Sequence, residues 1–507
     1  MTEPADRIDV VGVVGTGTMG VGIAQILAVA GVQVSLFDSR PGAAASACEA
    51  IAAALAALVA KGRLAMQERA AALSRLVVVD RLEAMAGAAL VVEAIVEDLD
   101  AKHVLLRHLE AVLSPDAILA TNTSSLSVTA VAAACERPSR VVGWHFFNPV
   151  PLLRVAEVIP GLQSAPSVVQ AVMALTRRTG HLPLQAADMP GFIVNHAGRA
   201  FLPEALRLQA EAVATPQDID RVLKDCAGFR MGPFALMDLV GLDVAQRVMD
   251  SLYRQYFHEP RFAASPLVEL RVRAGLLGRK TGRGFYRYEA GAMVAEPEAQ
   301  AATARSEQSF WICSEQGDLA ARVRSVLLEA GATVEACAQP SADALLVLTP
   351  LGEDVSGACA RLGLDAGRAV GVDALFGLDQ RRVLMFAPGA GPTWRAAAAA
   401  WLGADGTPVT VLADSPGFIG QRMVAQIINV GCDIAQRGIA APTDIDLAVE
   451  RALGYPMGPF AWGDHIGPAR VLQITQALFA ATGEPRYRPS TWLRRRAQLG
   501  LPLGTPS

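Results

Sequence analysis

One stretch of this chain is written twice. Asp188-Met-Pro-Gly-Phe-Ile-Val-Asn195 recurs as Asp414-Ser-Pro-Gly-Phe-Ile-Gly-Gln421, and Met231-Gly-Pro-Phe-Ala recurs as Met457-Gly-Pro-Phe-Ala. Asp218-Ile-Asp220 returns as Asp444-Ile-Asp446, and Asp238 with Gly241 as Asp464 with Gly467, all at a single offset of 226 residues without a gap. Each copy reads as amphipathic helices punctuated by Pro-Gly and Gly-Pro turns at the same spacing, so both must fold into the same helical unit. This places helical domains at 187–290 and 410–507 and rules out one compact body.

At roughly 100 to 200 residues per domain, the 507 residues leave room for two more domains, at 1–186 and 305–395. The composition, 52% hydrophobic and 19% charged with a formal net charge of -4, excludes a disordered chain and a dedicated nucleic-acid binder. The first residues carry no basic patch followed by an apolar run. The Ala43–Ala60 stretch reads as too short and too weakly apolar to span a bilayer, with Glu49 inside it. The expectation is a cytoplasmic protein with no membrane partner. Seven scattered cysteines without a Cys-x-x-Cys pair argue against a disulfide framework, and the histidines lack metal-ligand spacing, so no metal site is predicted. Of 45 basic residues only Lys61, Lys102, Lys224 and Lys280 are lysine. Where arginine is the default cation, a lysine marks a candidate point contact.

The 1–186 domain reads as a nucleotide-binding α/β unit. An apolar strand from Ile8 runs into Gly15-Thr16-Gly17-Thr18-Met19-Gly20; a helical stretch to Ala30 and a second strand, Val32 to Phe37, follow, ending at Asp38. In this strand, turn, helix, strand context Gly15 permits the tight turn, Gly17 lets backbone approach a pyrophosphate, and Gly20 lets helix pack on strand. Asp38, 18 residues after Gly20, is placed to accept the adenosine ribose hydroxyls and to repel a 2'-phosphate, which favours NAD over NADP; Arg40 tempers that preference. Apolar runs at Leu76–Val79, Ala89–Ile95, Ala117–Thr121 and Val141–Phe147 predict further buried parallel strands. Their carboxyl ends carry Glu97, Asn122 with Ser124, and His145-Phe146-Phe147-Asn148-Pro149, which should line one crevice.

Together the glycine turn, Val91–Leu99, Asn122-Thr-Ser-Ser-Leu126, His145–Pro151, Asp188–Asn195, Met231–Asp243 and Gly278–Tyr286 resemble the L-3-hydroxyacyl-CoA dehydrogenase family over about residues 8 to 288. The resemblance implies NAD on an N-terminal Rossmann domain, a helical domain for the acyl-CoA, and oxidation of (3S)-3-hydroxyacyl-CoA to 3-oxoacyl-CoA. It assigns His145 as the base for the 3-hydroxyl proton, with Glu157 paired to its ring; an imidazole suits that task at neutral pH. Ser124 and Asn195 resemble donors to the reacting oxygen and the acyl-CoA, with Ser125 adjacent, and Asn148 resembles the residue that orients base and nicotinamide. By the same resemblance Gly15, Gly17, Thr18, Met19, Gly20, Asp38, Glu97, Lys102, Asn122, Asn148 and Lys280 contact NAD, and Lys61 meets the CoA phosphates. Ala54 stands where the family often has a serine, which weakens the CoA assignment.

Between the helical copies, Phe310–Cys313, Asp318–Glu329 and Thr333–Cys337 read as strand, helix, strand. Glu315 and Ala338 replace the first glycine and the acid of the nucleotide motif, and no histidine occurs between His258 and His465. This predicts a degenerate Rossmann-like domain without cofactor; an unrelated α/β insert is the alternative. The fold class is therefore Rossmann α/β, helical, degenerate Rossmann-like and helical in turn. The resemblance to family dimers suggests that the second helical copy packs on the first as a built-in partner, with homodimerisation through other surfaces left open. Candidate substrates are 3-hydroxybutyryl-CoA, fatty acyl groups of β-oxidation, or a dicarboxyl group such as 3-hydroxyadipyl-CoA from aromatic-acid (phenylacetate) breakdown. Arg199 and Arg207 are conceivable partners for a second carboxylate, although both read first as surface arginines. The competing class is a non-catalytic, crystallin-like protein on the same scaffold.

Overall fold

The computed structural model describes residues 8–295, 297–298 and 307–506. They form two compact units: one holds the residues up to His196 with Arg437–Leu453, the other Ala197–Gln436 with the residues from Gly454 on.

The first unit is built on β1 (Val10–Val14), β2 (Gln33–Phe37), β3 (Leu76–Val78), β4 (Leu90–Glu93), β5 (Ile118–Thr121), β6 (Val141–Phe146), β7 (Val155–Pro160) and β8 (Leu182–Gln185). The sheet order is β3-β2-β1-β4-β5-β6-β7-β8. All neighbours are parallel except β6 and β7. Burial on both faces explains the unbroken apolar runs. Leu90 and Val92 enter the core under α1 (Thr18–Val29) and α2 (Ala43–Ala60), while Val91 points to the opposite core with Leu106 and Leu109. Between β1 and β4 the winding reverses, and the crevice at the carboxyl ends of these strands is where such sheets bind ligands.

The Ala43–Ala60 expectation needs correction. This helix has 18 residues and, by length and composition alone, reaches the lower limit of a membrane span. Its Ala44, Ala47, Ile51 and Leu55 nevertheless join the core beneath the sheet, so its apolar stripe has a protein partner.

The second unit contains a five-stranded sheet of Phe310–Ile312, Leu345–Leu348, Ala369–Val372, Arg382–Phe386 and Val409–Ala413, in that order. Its last four strands repeat the parallel, antiparallel, parallel sequence of β5 to β8. The strand expected at Thr333–Cys337 shrinks to one parallel bridge of Val334 on Phe310; Pro340 follows closely and cannot donate to a ladder. The repeat preserves a structural task as well. Asp188 accepts from the backbone N–H groups of Val128 and Thr129 at 2.9 and 2.7 Å, and Asp414 accepts from Val355 and Ser356 at 2.8 and 3.1 Å. Each carboxylate thus holds the start of a helix.

The helical copies differ at one element. Gly420–Gln436 is a continuous, almost wholly buried helix, whereas its counterpart is broken into Val194–Ala197, Gly198–Ala200 and Leu202–Ala210. Pro203 occupies the position of Asn429 and cannot continue a helix interior. The Gly420–Gln436 helix packs on Gly198–Ala200 and Leu202–Ala210 of the first copy. There Arg422 Nε lies 2.6 Å from Glu204, which also meets Arg486 at 3.2 Å and accepts the Tyr487 hydroxyl at 2.6 Å. All four side chains are buried. Backbone bonds are exchanged in kind: Ala187 N–H donates to Ile439 O at 2.8 Å in the first unit, and Ala413 N–H, 226 residues on, donates to Val213 O at 3.0 Å in the second.

Candidate active site

The glycine turn divides its labour among three residues. Gly15 has φ +92°, and a Cβ there would lie 2.6 Å from the Ala94 carbonyl; a Cβ at Gly20 would lie 1.9 Å from that of Gly15. Both glycines are demanded by protein against protein. Gly17 is different, since no atom lies within 4 Å of its Cβ position. It caps a 12-residue helix without a side-chain hydrogen bond, and with Thr18 and Met19 it presents the open N-terminal turn. Backbone N–H groups facing open space at a helix N-terminus fit a pyrophosphate. Replacing Gly17 with Ala should leave the thermal midpoint in place and weaken NADH binding roughly tenfold, about 1.4 kcal/mol. Replacing Gly20 with Ala should lower the midpoint itself, as a backbone clash does. Thermal melts beside NADH fluorescence titrations separate the two outcomes.

Asp38 lines a cavity of about 590 Å³ together with the apolar side chains of Leu82, Val104 and Leu105. Its Oδ2 accepts from Thr16 N and Oγ1, both at 2.8 Å. Arg40 Nε and Nη2 reach the carboxylate at 3.0 and 3.1 Å. The Arg40 guanidinium, opposed by partial burial and aided by Thr16, holds Asp38 far below the usual carboxylate range.

At the other end of the crevice, β6 and β7 place His145 directly opposite Glu157. His145 Nδ1 lies 2.6 Å from Glu157 Oε2, and Glu157 Oε1 accepts the N–H groups of Ile193 and Val194 at 2.8 and 2.9 Å. Glu157 is completely buried. With Nδ1–H committed to the carboxylate, Nε2 is the nitrogen left to take a proton. Phe147 and Phe192 flank the ring at centroid distances of 4.5 and 5.8 Å.

Asn122 Oδ1 accepts from Phe146 N at 3.0 Å and thereby ties the end of β5 to the histidine strand. Asn195 Nδ2 donates to the Ser124 carbonyl at 3.4 Å, bringing those two assigned residues together. Asn148 is exposed, two residues beyond the end of β6. Glu97 Oε1 gathers Thr123 Oγ1 at 2.7 Å, Ser124 N at 2.8 Å and Ser125 N at 2.9 Å; the Ser124 and Ser125 hydroxyls lie at 3.3 and 3.0 Å. Both serines thus face the same carboxylate. Burial alone would raise the Glu97 carboxyl, but Lys102 and these donors overcome it and hold the group below its ordinary value.

Lys102 is only 1% exposed and rests on Glu93 at 2.7 and 2.9 Å and on Glu97 at 3.3 Å. Glu93 went unrecognised in the sequence, although an acid closing the apolar run Leu90-Val-Val-Glu93 was a signal that a buried cation would meet it. Lys61 ends α2, exposed. Lys280 belongs to the other unit, where it pairs with Asp243 at 2.5 Å. The two arginines considered for a second carboxylate also lie there. Arg199 is buried rather than superficial, and burial pulls its guanidinium down to about 10. Arg207 engages Glu211 at 2.9 Å and Glu484 at 2.6 Å.

The same register shows what the second sheet carries instead. Asp373 occupies the position of His145 and Val383 that of Glu157. Gln421, the counterpart of Asn195, donates to Asp373 Oδ1 at 3.0 Å and to the Pro350 carbonyl at 3.1 Å. Burial pushes the Asp373 carboxyl up to about 6. Near the replaced glycine turn, Arg361 bridges Glu315 at 2.6 Å and Glu353 at 2.7 Å.

Comparison with known proteins identifies the family. The model of the 3-hydroxyacyl-CoA dehydrogenase NAD-binding domain matches residues 10–189, and that of the 3-hydroxyacyl-CoA dehydrogenase C-terminal domain matches twice, at 191–288 and 417–504. The chain belongs to the 3-hydroxyacyl-CoA dehydrogenase family. It is 37% identical to the 3-hydroxyadipyl-CoA dehydrogenase of Escherichia coli K12 over 97% of this chain and 98% of that one. A crystal structure of 3-hydroxybutyryl-CoA dehydrogenase from the same species superposes with a TM-score of 0.85 at 35% identity, covering 97% and 99% of the two chains. The (S)-3-hydroxybutyryl-CoA dehydrogenase PaaH1 of Ralstonia eutropha matches 56% of this chain and all of its own, at 38% identity and a TM-score of 0.55. The family makes the chain an oxidoreductase acting on 3-hydroxyacyl-CoA.

Proposed function

We propose that this enzyme oxidises (3S)-3-hydroxyadipyl-CoA to the 3-oxo product with NAD. The observation that carries the reading is His145, held through Nδ1 by a buried Glu157 whose other oxygen is fixed by two backbone N–H groups. NAD, when bound, supplies the hydride acceptor for C3. His145 Nε2 takes the hydroxyl proton, and Glu157 stabilises the resulting imidazolium without leaving its place. Ser124 and Asn195 orient the reacting oxygen and the acyl-CoA, Asn148 orients the base and the nicotinamide, and Lys61 meets the CoA phosphates. Gly17, Thr18 and Met19 face the pyrophosphate, Gly15 and Gly20 shape the turn that presents them, Asp38 meets the ribose, and Asn122, Glu97 and Lys102 complete the cofactor contacts.

The choice of a dicarboxyl acyl group rests on the 3-hydroxyadipyl-CoA dehydrogenase that matches this chain end to end. The competing 3-hydroxybutyryl group comes from the full-length structural match and the half-length relative. Following NADH absorbance with 3-oxoadipyl-CoA and acetoacetyl-CoA decides between them. The expected result is a kcat/KM at least about tenfold higher for the adipyl thioester, near 1.4 kcal/mol of discrimination. The reverse order assigns the enzyme to butyryl chemistry, and no turnover with either, NADH still binding, returns a binding protein on an enzyme's scaffold.

The second helical copy serves as a built-in partner of the first, leaving one active site per chain. Support comes from the buried Arg422–Glu204 pair. The first copy has His196 in place of Arg422 and the second Val430 in place of Glu204, so this pairing joins only unlike copies.

A further inference from the structure

We infer that Arg40 sets the cofactor selectivity of this enzyme, screening Asp38 so that the adenosine pocket also accepts a 2'-phosphorylated dinucleotide. The inference rests on the NAD-binding reading of this pocket and extends it. Five donor atoms converge on the Asp38 carboxylate. Thr16 N and Oγ1 reach Oδ2 at 2.8 Å, Arg40 N and Nε reach Oδ1 at 3.0 Å, and Arg40 Nη2 reaches Oδ2 at 3.1 Å. Two oxygens offer about four lone-pair sites, so the carboxylate is already saturated.

The donors differ in how readily they yield. Thr16 is 7% exposed and belongs to the glycine turn, so its two bonds are part of the fold. The Arg40 side chain is 69% exposed, and its guanidinium is fastened by Asp38 alone among the ion pairs of the described residues. Arg40, Asp38 and Gly17 line the same cavity. A ribose whose hydroxyls donate to Asp38 must displace the guanidinium. A ribose carrying a 2'-phosphate need not, because Arg40 neutralises the acid that would repel the phosphate and offers a planar fork that matches phosphate oxygens. The same side chain therefore competes with NAD and assists NADP.

The test is fluorescence titration of NADH and of NADPH into wild type, Arg40→Ala and Arg40→Lys, with thermal melts to show that each variant is folded. Titration of 2'-AMP against 5'-AMP, followed by displacement of NADH, isolates the adenosine end. For Arg40→Ala the ratio of NADPH to NADH dissociation constants is expected to rise at least tenfold, through weaker NADPH and equal or tighter NADH binding. Arg40→Lys should fall between, since it keeps the charge and loses the fork. A ratio that moves less than threefold while wild type binds NADH normally overturns the role of Arg40. Wild type that binds neither dinucleotide overturns the cofactor reading, and this inference with it.

Discussion

Replacing His145 with Gln is expected to lower kcat by about 10²- to 10⁴-fold, the usual contribution of a positioned general base, while the NADH dissociation constant stays within about threefold. The separation follows from geometry. His145 sits on β6, opposite Glu157 on β7, whereas the glycine turn and Asp38 lie at the ends of β1 and β2. Glutamine keeps a group that can face Glu157 but offers no nitrogen that gains a proton near neutral pH. Stopped-flow measurement of NADH oxidation with 3-oxoadipyl-CoA, beside NADH titration, reads both quantities. A variant that retains a tenth of the wild-type rate would move the base elsewhere. Glu157→Gln should cost less in rate than His145→Gln, because the amide oxygen can still accept from one side while the negative charge opposite the imidazolium is lost.

The largest effect on stability is expected at Glu204. Its carboxylate is fully buried between Arg422 and Arg486 and accepts the Tyr487 hydroxyl. Truncation to Ala leaves two buried guanidinium groups facing each other without the charge between them. Removing one partner of a buried ionic set typically costs about 3–5 kcal/mol, and the midpoint of the transition that unfolds the helical copies should drop by roughly 10 °C. Glu204→Gln should fall between, since the amide can still accept from Tyr487. The pH dependence has a definite sign. Burial works against ionisation of Glu204, but Arg486, Arg422 and Tyr487 outweigh it and hold the carboxyl below its ordinary 4.5. Its contribution is therefore present above that value and is lost as the pH falls through the depressed folded value. Melts at neutral and acid pH should show the difference between wild type and Glu204→Gln narrowing on the acid side. A constant difference would deny the coupling.

Legibility from sequence followed the range over which each constraint acts. The strand, glycine turn, helix and acid at 8–38 are local, so periodicity and spacing exposed them, and the duplicated turns exposed the second helical copy. Continuous apolar runs located β4, β5 and β6 because strands buried on both faces leave no room for alternation. Glu157 was assigned by resemblance, and its context, Arg154-Val-Ala-Glu-Val-Ile159 after a proline-bounded turn, fits a strand returning beside His145. The register that sets the two residues directly opposite came from the pairing of β7 antiparallel to β6.

Residues that act through distant partners stayed hidden. Glu93 reads as the end of an apolar strand until Lys102 folds back on it, and Glu204 reads as an ordinary helical acid until Arg422, 218 residues later, arrives beside it. Arg199 read as a surface charge and is buried, because one side chain's exposure depends on neighbours supplied by other helices. The sequence by itself therefore determined the fold class, the repeat and the chemistry-bearing residue types, all properties of short stretches with their own periodicity and turn chemistry. Tertiary structure decided which charges meet. Those include the five donors on Asp38, the three on the Glu157 carboxylate and the arginines around Glu204, since electrostatic pairing depends on distance in space and carries no signature in sequence separation.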